Sequence, residues 1–370
     1  MYTLSVALPY VLVSFIISFL LTPIAKKIGL ATNAYALENK RTVHHGKIVR
    51  IGGVAMYLAF VATMAIFVHP DSTFDAILVG ACIVFVGGLI DDMFDLKPII
   101  KLMFQIAAAV YVTLFGKIQI NELNLPFITI NIEPIYFIIS IIWIVGVTNA
   151  INLIDGLDGL SSGISIIVLC VIGFIAYKMR RIDASIVALI MVGAIGGVLP
   201  YNFHPASIFV GDSGALFMGY MISCLSLLGF KSSAFISLVF PLIILFVPLA
   251  DTSLAIIRRK LKGQKISEAD RSHLHHVLMY KIGLSHRNTV LLLYLVTLLF
   301  GADAILIFFH QKAGFIVLGI LCLIAWIFIE LTGMINPKVH PLIGLCRRIT
   351  GHPKKSNDAF FEANKIDHNA

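Results

Sequence analysis

Eleven apolar runs of near-membrane length divide this chain, and a chain so divided has few ways to fold. They lie at Met1–Ala25, Ile51–Val68, Ala76–Ile90, Ile99–Phe115, Ile135–Ile154, Leu160–Tyr177, Ala184–Pro200, Gly214–Phe230, Ala234–Ala250, Thr289–Phe309 and Ala313–Leu331. About twenty apolar residues in a helix cross a bilayer, and lipid admits only structures that satisfy their own backbone. Only 13% of the residues are charged and the mean hydropathy is +0.95, against about 25% charged in a soluble domain. The expectation is an all-α, polytopic integral membrane helical bundle of about eleven transmembrane helices.

Orientation follows from the basic residues. With the N-terminus outside, 22 of the 28 Lys and Arg fall in segments on the inner side, as the positive-inside rule requires. This places the C-terminus in the cytoplasm. Met1–Ala25 has its positive charges, Lys26 and Lys27, after the apolar run, so it is expected to remain as a first helix and not to be cleaved as a signal. The net charge of +8 is that inner-side bias and calls for no nucleic acid. Five scattered cysteines make neither a disulfide framework nor a CxxC metal site. Residues 1–333 read as one membrane-embedded domain and residues 334–370 as a polar, disordered cytoplasmic tail. Lys117 to Glu133 reads as a short outer hairpin.

Four polar constellations interrupt this apolar background, all on the inner side. Asp91, Asp92 and Asp95 close the third run; on a helix Asp91 and Asp95 would share a face. Adjacent carboxylates repel unless a cation lies between them, so the group reads as a divalent-metal or proton-transfer site. Asn149, Asn152, Asp155 and Asp158 recur every three residues, a polar stripe if helical, with Gly156, Gly159 and Gly163 able to end a helix or admit a ligand. Such groups between membrane spans are rarely structural. Asp212 stands between Gly211 and Ser213-Gly214 at the start of the eighth run, where open helix N–H groups suit a phosphate and its metal. The longest inner loop carries Arg271, His273, His275 and His276, a spacing unlike a zinc finger and suited to a diphosphate. Carboxylates for Mg²⁺, Gly-flanked anion sites and Arg/His donors are the equipment of phosphoryl transfer. At a membrane face, one substrate is expected to be a lipid phosphate and the other a soluble phosphorylated donor.

The segments D-D-M-F-D, N-A-I-N-L-I-D-G-L-D-G-L, N-F-H-P-A-S-I-F-V-G-D-S-G and R-S-H-L-H-H, in this order, resemble the polyprenyl-phosphate N-acetylhexosamine-1-phosphate transferases (glycosyltransferase family 4). The last segment is similar to the branch that starts wall teichoic acid, O-antigen and enterobacterial common antigen lipids. The resemblance implies transfer of N-acetylglucosamine 1-phosphate from UDP-N-acetylglucosamine to undecaprenyl phosphate with release of UMP. It also implies Mg²⁺, with Mn²⁺ as a substitute, and initiation of a bacterial cell-wall polymer. Asp212 would ligate the metal, and Asp91 and Asp92 would handle the lipid phosphate and the metal. Asn149, Asn152, Asp155 and Asn202 would line the cleft. Asp158, Gly156 and Phe209 would hold the uridine; Arg271, His273, His275 and His276 would hold the diphosphate and sugar. Lys101 is assigned to the acceptor phosphate by charge and depth. A homodimer is left open.

One segment departs from the family pattern. Where H-x-x-P-I-P-R-x-G-G is usual, this chain has Lys47 and Val49 at the two prolines but keeps His44, Arg50, Gly52 and Gly53, which leaves the stiffness of the loop and any role of Arg50 open. Two rivals fit less well. A transporter wants its carboxylates near mid-membrane and not at span ends. A CDP-alcohol phosphotransferase needs Ala and Arg where Ser162 and Gly163 stand.

Overall fold

The computed structural model describes residues 4–36, 48–68, 71–120, 123–125, 128–130, 132–229, 234–261, 263 and 273–334. Arg271, His44, Lys47 and the tail from 335 lie outside the described residues. Each of the eleven apolar runs is helical. The helices are α1 (Leu4–Ala31), α2 (Gly52–Phe67), α3 (Ser72–Phe94), α4 (Pro98–Phe115), α5 (Glu133–Ile154), α6 (Leu160–Lys178), α7 (Ile182–Asn202), α8 (Gly211–Gly229), α9 (Ala234–Ile244), α10 (Phe246–Leu261), α11 (Leu274–His276, continued by a π turn to Lys281), α12 (His286–Phe309) and α13 (Gln311–Thr332). Nine of those described are long and apolar enough to cross a membrane, which makes the protein an all-α polytopic membrane protein.

The other two runs deviate for physical reasons. Helix α2 has only 16 residues. The ninth run breaks at Leu245 into α9 and α10, because Pro248 has no N–H to give the carbonyl of Ile244. The hairpin expected between Lys117 and Glu133 is present as two short antiparallel strands, β3 (Leu123–Leu125) and β4 (Ile128–Ile130), with Asn124 opposite Thr129. A second short ladder pairs β1 (Tyr35–Ala36) with β2 (Ile48–Val49).

Helix α8 is the axis of the bundle. Every one of its residues except Asp212 is buried, as befits a helix that is apolar on all faces. It packs against α2, α3, α5 and α6, and Tyr220 donates a hydrogen bond to the Ile77 carbonyl on α3. The α1–α7 contact works through small residues. Ser14 and Ser18 donate to the carbonyls of Ile190 and Ala194 at 2.8 and 2.6 Å. A Cβ on Gly193 or Gly197 would lie 2.3 or 2.5 Å from the Val11 or Phe15 carbonyl, so these backbones meet only because the residues are glycine. By contrast, Ile316, Ile324 and Leu331 of α13 are exposed, an arrangement suited to lipid. Asp303 on α12 is buried, and neither of its oxygens has a hydrogen-bond partner among the described residues; nothing in the structure explains it.

Gly197→Leu should force α1 and α7 apart at a cost of about 1–3 kcal/mol or more and lower the thermal unfolding midpoint in detergent. Gly146→Ala, where an added Cβ meets nothing within 4 Å, should leave the midpoint unchanged.

Candidate active site

The polar site is built on the first turn of α8. Gly211 enters it with φ +69°, and a Cβ there would lie 1.7 Å from the Arg50 carbonyl, so only glycine fits. The Asp212 and Ser213 N–H groups, expected from sequence to be open to a phosphate, are taken. Both donate to Asp92, at 2.7 and 3.0 Å, and the Ser213 hydroxyl adds a bond of 2.7 Å. Asp92 ends α3 directly opposite, and an ionised acceptor fits the positive end of a helix. Removing it would leave buried donors unsatisfied, at about 1–3 kcal/mol each.

With its backbone so fixed, Asp212 turns its carboxylate to the other side. Oδ2 meets Lys101 Nζ at 2.7 Å and Oδ1 accepts from Asn152 Nδ2 at 2.8 Å. The same ammonium lies 3.1 Å from Asp91 Oδ2, while Asp91 Oδ1 accepts from the Leu96 N–H at 2.8 Å. Lys101 thus bridges two carboxylates from different helices. Asp95 does not share a face with Asp91: α3 stops at Phe94, and Asp95 takes φ +47° and points outward to Arg50 Nη1 at 3.3 Å. Arg50 also approaches Asp92, at 4.0 Å.

The second wall is the α5–α6 connection. The three-residue polar pattern is helical only as far as Asn149 and Asn152, because α5 ends at Ile154 and Gly159 takes φ +76°. Asn149 forms a reciprocal amide pair with Gln105 of α4. Asp155 accepts from the Ser161 hydroxyl at 2.5 Å. Loss of water around it pushes its carboxyl up to about 7; the Ser161 bond opposes the rise, and the charges of Asp212 and Asp158 add to it. Asn202 is buried beneath the next loop and does not reach the cleft. Its oxygen accepts from Ser162 and its amide donates to the Ile208 carbonyl. Phe209 is half-buried, and its backbone bonds to Val49 and Gly52.

The histidine segment closes over this loop. His273 pairs through Nδ1 with the buried Asp251 at 2.9 Å, and the Leu274 N–H donates to the same carboxylate at 2.7 Å. His275 lies against Gly156, where a Cβ would come within 2.5 Å of its Nε2. Burial, reinforced by the neighbouring His276, holds His275 down at about 3, so it is a neutral donor or acceptor at physiological pH. The structure therefore gathers Asp91, Asp92, Lys101, Asn152 and Asp212 in one cluster, and sets the neighbouring rings of His273, His275 and His276 against the α5–α6 loop at Gly156. Gln105, Ser161 and Asp251 support these groups unseen in the sequence reading; only Asp251, a carboxylate directly after an apolar run, carried a signal.

A bundle of membrane helices with paired carboxylates, one shared ammonium and buried imidazoles at a single end is an integral membrane protein built to handle anions. Residues 74–230 match the family described as Glycosyl transferase family 4. The chain is 40% identical over 352 residues, 92% of its length and 97% of the relative's, to the probable undecaprenyl-phosphate N-acetylglucosaminyl 1-phosphate transferase of Bacillus subtilis. It is 30% identical to the decaprenyl-phosphate N-acetylglucosaminephosphotransferase of Mycobacterium leprae, covering 82% of this chain and 85% of that one. It is 27% identical to the undecaprenyl-phosphate alpha-N-acetylglucosaminyl 1-phosphate transferase of Escherichia coli K12, covering 78% and 79%. The chain belongs to glycosyl transferase family 4, the family its four motifs resemble.

If ionised Asp155 takes part in turnover, kcat/KM should rise with pH through about 7, since the carboxyl is protonated below that value and charged above it. A pH profile of Asp155→Asn should lose this limb along with most activity; a limb that stays near 7 in the variant belongs to another group.

Proposed function

We propose that this protein is the UDP-N-acetylglucosamine–undecaprenyl-phosphate N-acetylglucosamine-1-phosphate transferase of a bacterial plasma membrane. A lipid phosphate oxygen bonds to the donor's β-phosphorus, the bond from that phosphorus to the oxygen bridging to UMP breaks, and UMP leaves with the electron pair. The observation that carries this reading is the Lys101 ammonium shared by Asp91 and Asp212 at the end of the most buried helix. It is supported by the activity in the name of the Bacillus subtilis relative, which this chain spans almost end to end.

The carboxylates fit Mg²⁺, with Mn²⁺ as a substitute: oxygens of Asp91 and Asp212 already converge on one cation, Lys101, and hard oxygen ligands are what Mg²⁺ selects. When bound, the metal would neutralise charge building on the diphosphate. Asp92, engaged at the start of α8, anchors the backbone that carries the ligand Asp212. Lys101 pairs with the acceptor phosphate, Asp158 faces the nucleoside, and Arg271, His273, His275 and His276 take the diphosphate and sugar. Asp155, with a pKa near that of a phosphate monoester (about 6), is matched to accept a proton from the acceptor.

The transfer runs by direct attack. A lipid phosphate is already a competent anionic nucleophile near neutral pH, so an enzyme nucleophile would gain little, and a carboxylate coordinated to Mg²⁺ would have lone pairs committed to the metal. Residues 1–333 form the catalytic unit and 334–370 a tail. The chain crosses the membrane eleven times, with its N-terminus outside and its C-terminus and site in the cytoplasm. The product would begin a cell-wall polymer such as teichoic acid.

Purified protein given UDP-N-acetylglucosamine, undecaprenyl phosphate and Mg²⁺ should release UMP, and Asp212→Asn should cut this by at least about 100-fold without unfolding the protein. Release that does not depend on the lipid would refute the transfer. Without lipid, labelled UMP should not exchange into the UDP-sugar; exchange abolished by Asp91→Asn or Asp92→Asn would instead establish a covalent phosphosugar intermediate.

A further inference from the structure

Beside the cleft, three residues from separate segments meet: Asp158 of the α5–α6 loop, His204 of the α7–α8 loop and His286, the first residue of α12. Each offers one ligand atom, and these atoms lie within 4.8 Å of one another. His204 Nδ1 is 2.8 Å from Asp158 Oδ2, which also accepts from the Ala206 N–H at 3.1 Å. The Asp158 N–H donates to His286 Nε2 at 3.3 Å, so that nitrogen is unprotonated, and an ion bound there would take the place of this long hydrogen bond. The two imidazoles stack with centroids 4.1 Å apart. His286 Nδ1 is buried without a hydrogen-bond partner among the described residues.

We propose that Asp158, His204 and His286 form a site for a divalent transition-metal ion, Zn²⁺ foremost, separate from the Mg²⁺ carboxylates. Two imidazoles and one carboxylate are a Zn²⁺ donor set, whereas Mg²⁺ selects oxygen. Tetrahedral bonds of about 2.0–2.2 Å set ligand atoms about 3.3–3.6 Å apart, a spacing that falls between the 2.8 Å contact and the 4.8 Å limit of the cluster. Stacked rings cannot both aim at one ion, so one must turn. The His204 side chain, 40% exposed, is the one with room, and it also gives the ion a way in. Three protein ligands leave a fourth position open. The other histidine group is built differently, since His273 is committed to Asp251 and His275 is wedged against Gly156.

A bound ion would tie the α5–α6 loop to α12 and occupy the Asp158 carboxylate. On the proposed function, where Asp158 faces the nucleoside, Zn²⁺ then competes with the UDP-sugar.

The test uses full-length protein in detergent, stripped with chelator and titrated with Zn²⁺, or with Co²⁺ as a spectroscopic probe, in excess Mg²⁺. One ion per chain should bind, and Co²⁺ should give the visible absorption of tetrahedral coordination. His204→Ala and His286→Ala should each weaken binding at least tenfold while unfolding at the metal-free wild-type temperature. Unchanged binding in both variants, or binding lost only in His275→Ala, overturns the site. In the transfer assay Zn²⁺ should raise KM for the UDP-sugar in wild type and not in His204→Ala. Stoichiometric, His204-dependent binding with KM unmoved would uphold the metal site and remove Asp158 from the donor pocket.

Discussion

The arrangement depends on one contact, the Asp92 carboxylate on the Asp212 and Ser213 N–H groups in the first turn of α8. A helix that starts inside a membrane protein has donors with no partner in their own helix, and in low dielectric each is expensive to leave unmet. Asp92 meets two of them and the Ser213 hydroxyl at once. Because the start of α8 is satisfied by Asp92, the Asp212 side chain is left free to meet Lys101 of α4 and Asn152 of α5. The acidic pair Asp91-Asp92 is therefore divided by role. One carboxylate holds a helix; its neighbour, offset by about 100°, joins the cation site.

That division also resolves the charge problem. Asp91 and Asp212 would repel if nothing lay between them, and Lys101 approaches both from the second turn of α4. Pro98 starts that helix at its first position, where the missing N–H costs nothing, and so sets where Lys101 stands. Asn152 and the Leu96 N–H complete the shell as neutral donors. One ammonium against two carboxylates leaves the site net negative, and with every oxygen engaged it is preorganised.

Much of this was legible in the sequence. The helices followed from the apolar runs, and three residues singled out there for separate reasons, Asp91 for its adjacent carboxylate, Asp212 for its Gly-flanked helix start and Lys101 for charge at membrane depth, meet in the fold. What was not legible has identifiable causes. Asp92 and Asp212 look equivalent in sequence, since nothing local reports that two helix ends 120 residues apart face each other. Asn202 sits in a motif, but its partners, Ser162 and the Ile208 carbonyl, make it a loop support. His286 is a single imidazole at the start of an apolar run, without meaning until α12 is placed beside Asp158 and His204.

The loop without the usual prolines shows how one kind of restraint replaces another. A proline restricts φ by its ring; at Val49 this chain has no such ring, yet the segment is held on both edges. On one edge Val49 pairs with Tyr35 in a short antiparallel ladder, and the Arg50 N–H bonds to the Ala34 carbonyl at 3.1 Å. On the other, the Val49 carbonyl accepts from Phe209, and the Gly52 and Gly53 N–H groups donate to Phe209 and Val210 at 2.9 and 2.8 Å. Val49 itself is 1% exposed, so its side chain is seated as well. These bonds join the segment to the residues that lead into Gly211, and the Arg50 carbonyl lies where a side chain at 211 would have to go. The strand thus performs the fixing that stiff residues would perform, and it does so against the one stretch of chain whose position decides where Asp212 points.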